Sequence, residues 1–359
     1  MNAAEFFGGR EVIDNTYPAK HPMRELLIED SVTSLSFQSV YDAGEIKWLE
    51  TAKRRIDEKA MPTSMECNDL SSYSSVLGEM RAFADLLKMP ESEVSSFGTG
   101  AKGPDFLLTK KYDGSRVYVE VFTSPPRPDN EIVIKEGRKE CFYDEKGVKY
   151  SIETTISVQE PFGFPKLGKP GESTTANAVS KICAIKHSEY QLDDNAESIL
   201  YFDTQSLAMS FTMLEQSSSV LEFNGAFTSG AIWLAYYGEK GFPILENAGA
   251  GYVLPTTCVK MQHDGHFVKK GGSKLNAVII GVANDPHKKD FKRLALLENP
   301  NRPLSDSIRA ALIDSGCFNK ELSRYGSQVE LKNKLQDDRE NLFKALEKFR
   351  LLHPCPETI

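Results

Sequence analysis

Two short apolar runs that face each other across a tight turn constrain this chain more than any other feature. Gly103-Pro104-Asp105-Phe106-Leu107-Leu108 is answered by Val117-Tyr118-Val119-Glu120-Val121-Phe122. Both runs are rich in strand formers, and Tyr112-Asp113-Gly114-Ser115 between them has the composition of a turn. A hairpin centred on that turn places Asp105 opposite Glu120, or one side-chain pair away, on the same sheet face. Two carboxylates from neighbouring strands that point the same way can cage a hard divalent cation. Mg²⁺ takes oxygen ligands and keeps several waters, so one or two carboxylates and a phosphate suffice. The ordinary alternative stands beside this one: Pro-Asp is common turn chemistry, and a Glu on the open face of a hairpin is usually solvated.

Upstream, Leu77, Met80, Phe83, Ala84 and Leu87 recur at helical spacing, so residues 75–87 are expected to form an amphipathic helix with Glu79 near its first turn. A carboxylate there is also what the helix dipole favours without any catalytic role. Downstream, residues 174–192 read as a second helix capped by Thr or Asn. Residues 198–203 then read as a buried strand, 231–237 as another apolar element and 275–282 as a central strand. That order predicts an α/β sandwich with a mixed central sheet.

On Glu79, Pro104-Asp105 and Glu120, in that order on helix, strand and strand, the chain resembles the PD-(D/E)XK, or restriction-endonuclease-like, nuclease superfamily over roughly residues 70–300. The resemblance implies an α/β/α sandwich and a metal-dependent phosphodiester hydrolase, with Mg²⁺ or Mn²⁺ as cofactor and DNA as the expected polymer. It assigns Glu79, Asp105 and Glu120 to the site, with Asp105, Glu120 and the Val121 carbonyl as metal ligands. One position departs from the pattern. The family has a Lys two residues after the second strand acid, and here that position is Phe122. An aromatic ring can neither position an attacking water nor steady phosphate charge. Lys181 and Lys186 on the following helix are candidates for a migrated cation, with Lys181 preferred; Lys110 and Lys111 lie near the hairpin turn, away from the acids. The alternative that Phe122 motivates is a catalytically inactive nuclease-like module that binds nucleic acid or a partner protein.

The 359 residues accommodate a large core with additions, divided as an N-terminal extension (1–70), a nuclease-like core (71–310) with an insertion at about 125–172, and a C-terminal helical segment (311–359). The extension carries a helical stripe, Ile46, Leu49, Ala52 and Ile56, among Lys47, Lys53, Arg54 and Arg55. It is expected to cover a core edge or meet a partner. The insertion is expected to hold an extra β-hairpin that includes Glu131-Ile132-Val133-Ile134. Leu331, Leu335, Leu342, Leu346 and Phe349 make a C-terminal apolar stripe that either the body or a second subunit, giving a homodimer, would satisfy.

Six scattered cysteines give neither zinc spacing nor a disulfide framework. With no membrane-length apolar run and no signal peptide, a cytoplasmic location and no membrane partner are expected. The net charge of −8 argues against a dedicated duplex-binding module, yet only a local patch need meet a phosphate backbone. Lys269, Lys270, Lys274, Lys288 and Lys289, with Lys292 and Arg293, supply one. Gly271-Gly272 lacks the strand-to-helix context of a P-loop, and His263 and His266 flank Gly265 in a turn rather than a metal-binding helix. No nucleophile elbow or dinucleotide fingerprint is present.

Overall fold

The structure, a computed structural model, describes residues 1–19, 21–59, 67–97, 103–125, 131–143, 149–159, 161–162, 173–185, 196–207, 210–223, 225–247, 256–270, 272–285, 287–288 and 290–353. It opens with α1 (Ala3–Phe6), α2 (Arg10–Thr16), α3 (Val32–Asp42) and α4 (Ile46–Asp57), followed by the long α5 (Cys67–Leu86). The helix expected over 75–87 therefore begins eight residues earlier. Glu79 lies mid-helix, so the helix N-terminus does not account for it. Ser71, Ser72 and Ser74, which precede Ser75, are indifferent helix formers, and the burial of Leu70, Tyr73 and Ser74 rather than propensity carries those turns.

Strands β1 (Ser92–Ser96), β2 (Phe106–Lys110) and β3 (Arg116–Thr123) form an antiparallel meander. The β2–β3 turn is the one expected: Gly114 takes φ +69°, and the Asp113 side chain accepts from Ser115 N at 2.9 Å. The insertion contains a hairpin of β4 (Glu131–Tyr143) and β5 (Lys149–Gln159), with a register shift between Lys135 and Lys139. Next come α6 (Thr174–Cys183) and β6 (Glu197–Asp203), which returns parallel to β3. The cap of α6 is Ser173 rather than Thr or Asn, its hydroxyl accepting from Ala176 N at 3.0 Å. The stretch expected to extend this helix beyond residue 185 lies outside the described residues.

Strands β7 (Val220–Phe223) and β8 (Ala226–Ser229), helix α7 (Ala231–Tyr237), and strands β9 (Pro243–Asn247) and β10 (Thr257–Lys260) follow, the strands pairing as β10-β9-β8-β7. The chain then re-enters the main sheet through β11 (Ala277–Gly281) and β12 (Leu294–Glu298), and ends in α8 (Asp306–Asp314) and α9 (Gln328–Leu352). The main sheet thus has the order β1-β2-β3-β6-β11-β12, with β3, β6 and β11 parallel. This is a mixed α/β fold. Residues 318–324 hydrogen-bond along the outer edge of β12, so that edge is not left open.

Both faces of the sheet are covered, which explains why β6, β11 and β12 read as unbroken apolar runs rather than alternating ones. Ile199, Tyr201, Ile279 and Leu296 face one core with α5 and the N-terminal helices. Leu200, Phe202, Val278 and Leu297 face a second core with α6, α7 and α9. The N-terminal extension is part of the first core: Phe7, Ile13, Met23, Phe37 and Leu49 are all buried in it. The C-terminal stripe likewise packs on the chain's own body, with Leu331, Leu342 and Phe349 buried and Asp338 taking hydrogen bonds from Arg324 and Trp233. A second subunit is not needed to cover it.

Helix α5 approaches the sheet closely at Gly78. A Cβ there would lie 1.8 Å from the Thr123 hydroxyl and 3.0 Å from an Asp203 carboxylate oxygen. Gly→Ala inside a helix ordinarily stabilises by about 1 kcal/mol. Here overpacking outweighs it, and Gly78→Ala is expected to destabilise by about 1–3 kcal/mol. Urea denaturation checks this; an unchanged or raised midpoint would mean that α5 is free to move away from β3.

Candidate functional site

Two of the three sequence-derived acids, Asp105 and Glu79, meet at the end of the β2–β3 hairpin. The β2–β3 register sets Phe106 opposite Val119, so the next step would pair Asp105 with Glu120. Asp105 leaves the ladder at that step. Its Oδ2 accepts from Val121 N at 2.8 Å, and its carbonyl accepts from Phe97 N at 3.1 Å. The Asp105 carboxyl is thereby tied by a side-chain bond to the residue that follows Glu120.

Glu79 comes to the same place from α5. Both of its oxygens are held by Arg55 of α4, with Nη1 to Oε2 at 2.5 Å and Nη2 to Oε1 at 2.8 Å, and Ser75 Oγ donates to Oε1 at 3.3 Å. This fork is the bidentate pairing in which guanidinium matches carboxylate geometry. Burial, then the neighbouring Glu79 carboxylate, push the Asp105 carboxyl up to about 6; the Val121 N–H and Arg55 oppose the rise without cancelling it. A cavity of about 430 Å³ opens over the group, lined also by Lys47, Trp48, Thr51 and Phe97.

Glu120 is differently placed. It alternates with Val119 and Val121, which pack in the α5-side core, and so shares the face of Tyr118, Phe122 and its β6 neighbour Leu200. Phe122, at the position of the family lysine, packs on Phe202 with ring centroids 5.7 Å apart. Lys181 lies on that same α6 side and donates from Nζ to the Phe162 carbonyl. Lys186 lies outside the described residues. Lys110 donates to the Pro90 carbonyl at 3.0 Å, and Lys111 stands 3.8 Å from Glu93. The hairpin lysines are therefore engaged away from the acids.

The chain was compared with protein-family models, curated proteins and solved structures. Nothing matches it. The site is therefore read from its own geometry.

Arg55 is the residue that sequence reasoning passed over. It sits three residues after Ala52, on the shoulder of the buried Leu49–Ala52–Ile56 stripe, whereas Lys53 pairs outward with Asp57. That offset was the available signal. Trp48 and Phe97 are further additions; Trp48 packs on Phe83 and Phe106, and Phe97 remains 38% exposed at the rim.

The basic stretch expected over 266–293 does not stay together. Lys269 and Lys270 line a cavity beside α6, whereas Lys292 and Arg293 line another near α3, where Arg293 pairs with the buried Asp85. Lys288 pairs with Asp285 at 3.5 Å, Lys274 borders neither cavity, and Lys289 lies outside the described residues.

Among the described residues, no group of three or more His, Cys, Asp or Glu side chains is gathered to hold a metal ion. Of the expected donors, Asp105 lines the cleft together with Glu79, while Glu120 shares the opposite face of β3. The oxygens that suit a hard cation there are those of Asp105 and its neighbours in the cleft, with water and substrate filling the rest of the shell. An acid raised towards neutrality beside a second acid is also the electrostatic state that a bound cation would relieve. Among the described residues no helix is long and apolar enough to cross a membrane.

Proposed function

We infer that this chain is a metal-dependent phosphodiester hydrolase acting on DNA, built as a restriction-endonuclease-like sandwich. The observation that carries the reading is the Asp105 Oδ2 to Val121 N hydrogen bond, which joins the acid preceding β2 to the strand bearing Glu120. Supporting it, α5, the β1–β3 meander, α6 and β6 follow one another in the order that the resemblance implies. Asp105, with the Val121 carbonyl, would hold Mg²⁺ or Mn²⁺ in the cleft it shares with Glu79. Glu120, on the opposite face of β3, would join them only through a local rearrangement of that strand. Such an ion, when bound, lowers the pKa of its water and neutralises charge at the scissile phosphate.

The chain's own groups divide the remaining work. Arg55 presents a guanidinium at the acidic cleft, the cation suited to phosphate oxygens where Phe122 offers none. Glu79, once Arg55 turns to a phosphate, is free to orient the attacking water as a hydrogen-bond acceptor. Lys181 is the alternative cation, on the α6 side with Glu120. Phe97 and Trp48 give the cleft aromatic surface against which a base can stack. A restriction or phage-defence setting in the cytoplasm suits this reading and the free thiols of Cys183, Cys258 and Cys317.

The packed ring of Phe122 and the doubly bonded Glu79 favour a second reading, a nuclease-like module that binds nucleic acid without cutting it. One experiment separates the two. Supercoiled, linear and single-stranded DNA, and RNA, are incubated with the protein and Mg²⁺ or Mn²⁺. Cutting is expected, reduced at least ~100-fold by Asp105→Ala and by Glu120→Gln. Arg55→Ala and Lys181→Ala, measured alongside, assign the cation by whichever loses more. Folded wild-type protein that cuts nothing at any metal concentration would favour the binding module.

A further inference from the structure

A cavity of about 880 Å³ lies between α6 and the β9–β10 edge of the second sheet, lined by different residues from the acidic cleft. Four exposed lysines, Lys240, Lys260, Lys269 and Lys270, line it. Among the described residues none of the four has a carboxylate partner. The one acid in the lining, Asp264, is engaged as an acceptor for Lys240 N at 2.8 Å. Like charges brought together around one concavity raise the local anion concentration and favour a ligand that carries several negative charges.

The floor has another character. Val179, Ile244, Val259 and Met261 line it, so the ligand has an apolar body as well as a charged end. Met261 brings a polarisable thioether, which favours a flat ring over an alkyl chain. Ser180 and Gln262 offer hydrogen-bonding groups at the edge, which a base can use and a hydrocarbon cannot. The volume is within the range that encloses a ligand of nucleotide size.

We propose that this cavity is a nucleoside-phosphate site, holding a base on its apolar floor and two or more phosphate charges on Lys240, Lys260, Lys269 and Lys270. The source of the group is either a free nucleotide or the phosphorylated end of a nucleic-acid strand. The proposal stands apart from the hydrolytic reading, because it is tested by binding with no divalent metal present.

The test is calorimetric titration of the full chain in EDTA with ATP, with a 5′-phosphorylated oligothymidylate and with pyrophosphate. ATP or the oligonucleotide is expected to bind, and Lys269→Glu/Lys270→Glu to weaken that binding at least tenfold. All four lysines are exposed, so circular dichroism should show the variant folded as the wild type is. ATP without the oligonucleotide would identify a free nucleotide as the ligand, and tighter oligonucleotide binding would identify a strand end. Three results would each overturn the proposal: no binding of either at millimolar concentration, pyrophosphate binding as tight as ATP, or full affinity in the double variant.

Discussion

Arg81→Met should be the most damaging single substitution in the α5-side core, destabilising the fold by about 3–5 kcal/mol. Arg81 is fully buried, as is its partner Asp203, and the two are joined at 2.6 and 3.3 Å. The same guanidinium donates to the Thr33 hydroxyl at 2.9 Å and stands 3.6 Å from Glu25. Met fills much of the volume but leaves two carboxylates without their cation. A loss of that size is a large share of the roughly 5–15 kcal/mol that holds a domain folded. Burial already pushes the Glu25 carboxyl up and Arg81 pulls it back, so without Arg81 the acid takes up a proton more readily. The deficit should therefore shrink as pH falls from 8 towards 5. Urea titrations at both pH values check this, and Arg81→Met/Asp203→Asn should recover about 1–3 kcal/mol of the loss. A deficit below about 1 kcal/mol at pH 8 would mean that water reaches the pair.

Asp105→Asn should behave in the opposite sense, losing activity while gaining stability. The carboxyl has an ordinary value of 3.8 and is pushed up to about 6 in the fold. Because the folded value is the higher one, the native state holds a proton that the unfolded chain would release. The contribution to stability is full below the unfolded value and is lost as pH rises through the folded one. At pH 7.5 the native protein carries the whole penalty. Asn resembles the protonated acid: its oxygen can accept from Val121 N, and its N–H groups can face Glu79. The variant is expected to be ~1–3 kcal/mol more stable at pH 7.5, with the advantage gone near pH 4. Mg²⁺ or Mn²⁺ should raise the melting temperature of the wild type and not of the variant, since a ligand stabilises only the state that binds it. Cleavage should fall at least ~100-fold. A variant less stable than wild type at pH 7.5 would show that the carboxylate is held for structural reasons, and would remove the main electrostatic support for a cation site.

What could be read in the sequence follows the range over which each signal acts. The β2–β3 hairpin was legible because Asp113-Gly114 encodes its turn locally and the flanking runs are apolar. Strands β6 and β11 were legible because burial on both faces leaves no polar alternation. The second sheet was not, since its strands run only four or five residues and present no period to detect. The link between Asp105 and Glu79 could be guessed from the resemblance, but Arg55 arrives from 24 residues before Glu79 through a helix packing that no local pattern announces. Phe122 was visible as a departure, while its packing on Phe202 depends on a strand 80 residues on.

The closure of the second core by α9 sets an order of events during synthesis. The α5-side core has all of its fully buried residues once Phe318 has been made, including those of β12 and α8. The opposite face still lacks Leu342 and Phe349, which lie in the last helix. A nascent chain therefore emerges from the ribosome with one core able to consolidate and the other, already lined by α6 and α7, still open on its α9 side until that helix is clear of the exit tunnel. During that interval the surface awaiting α9 is where a holding chaperone would engage.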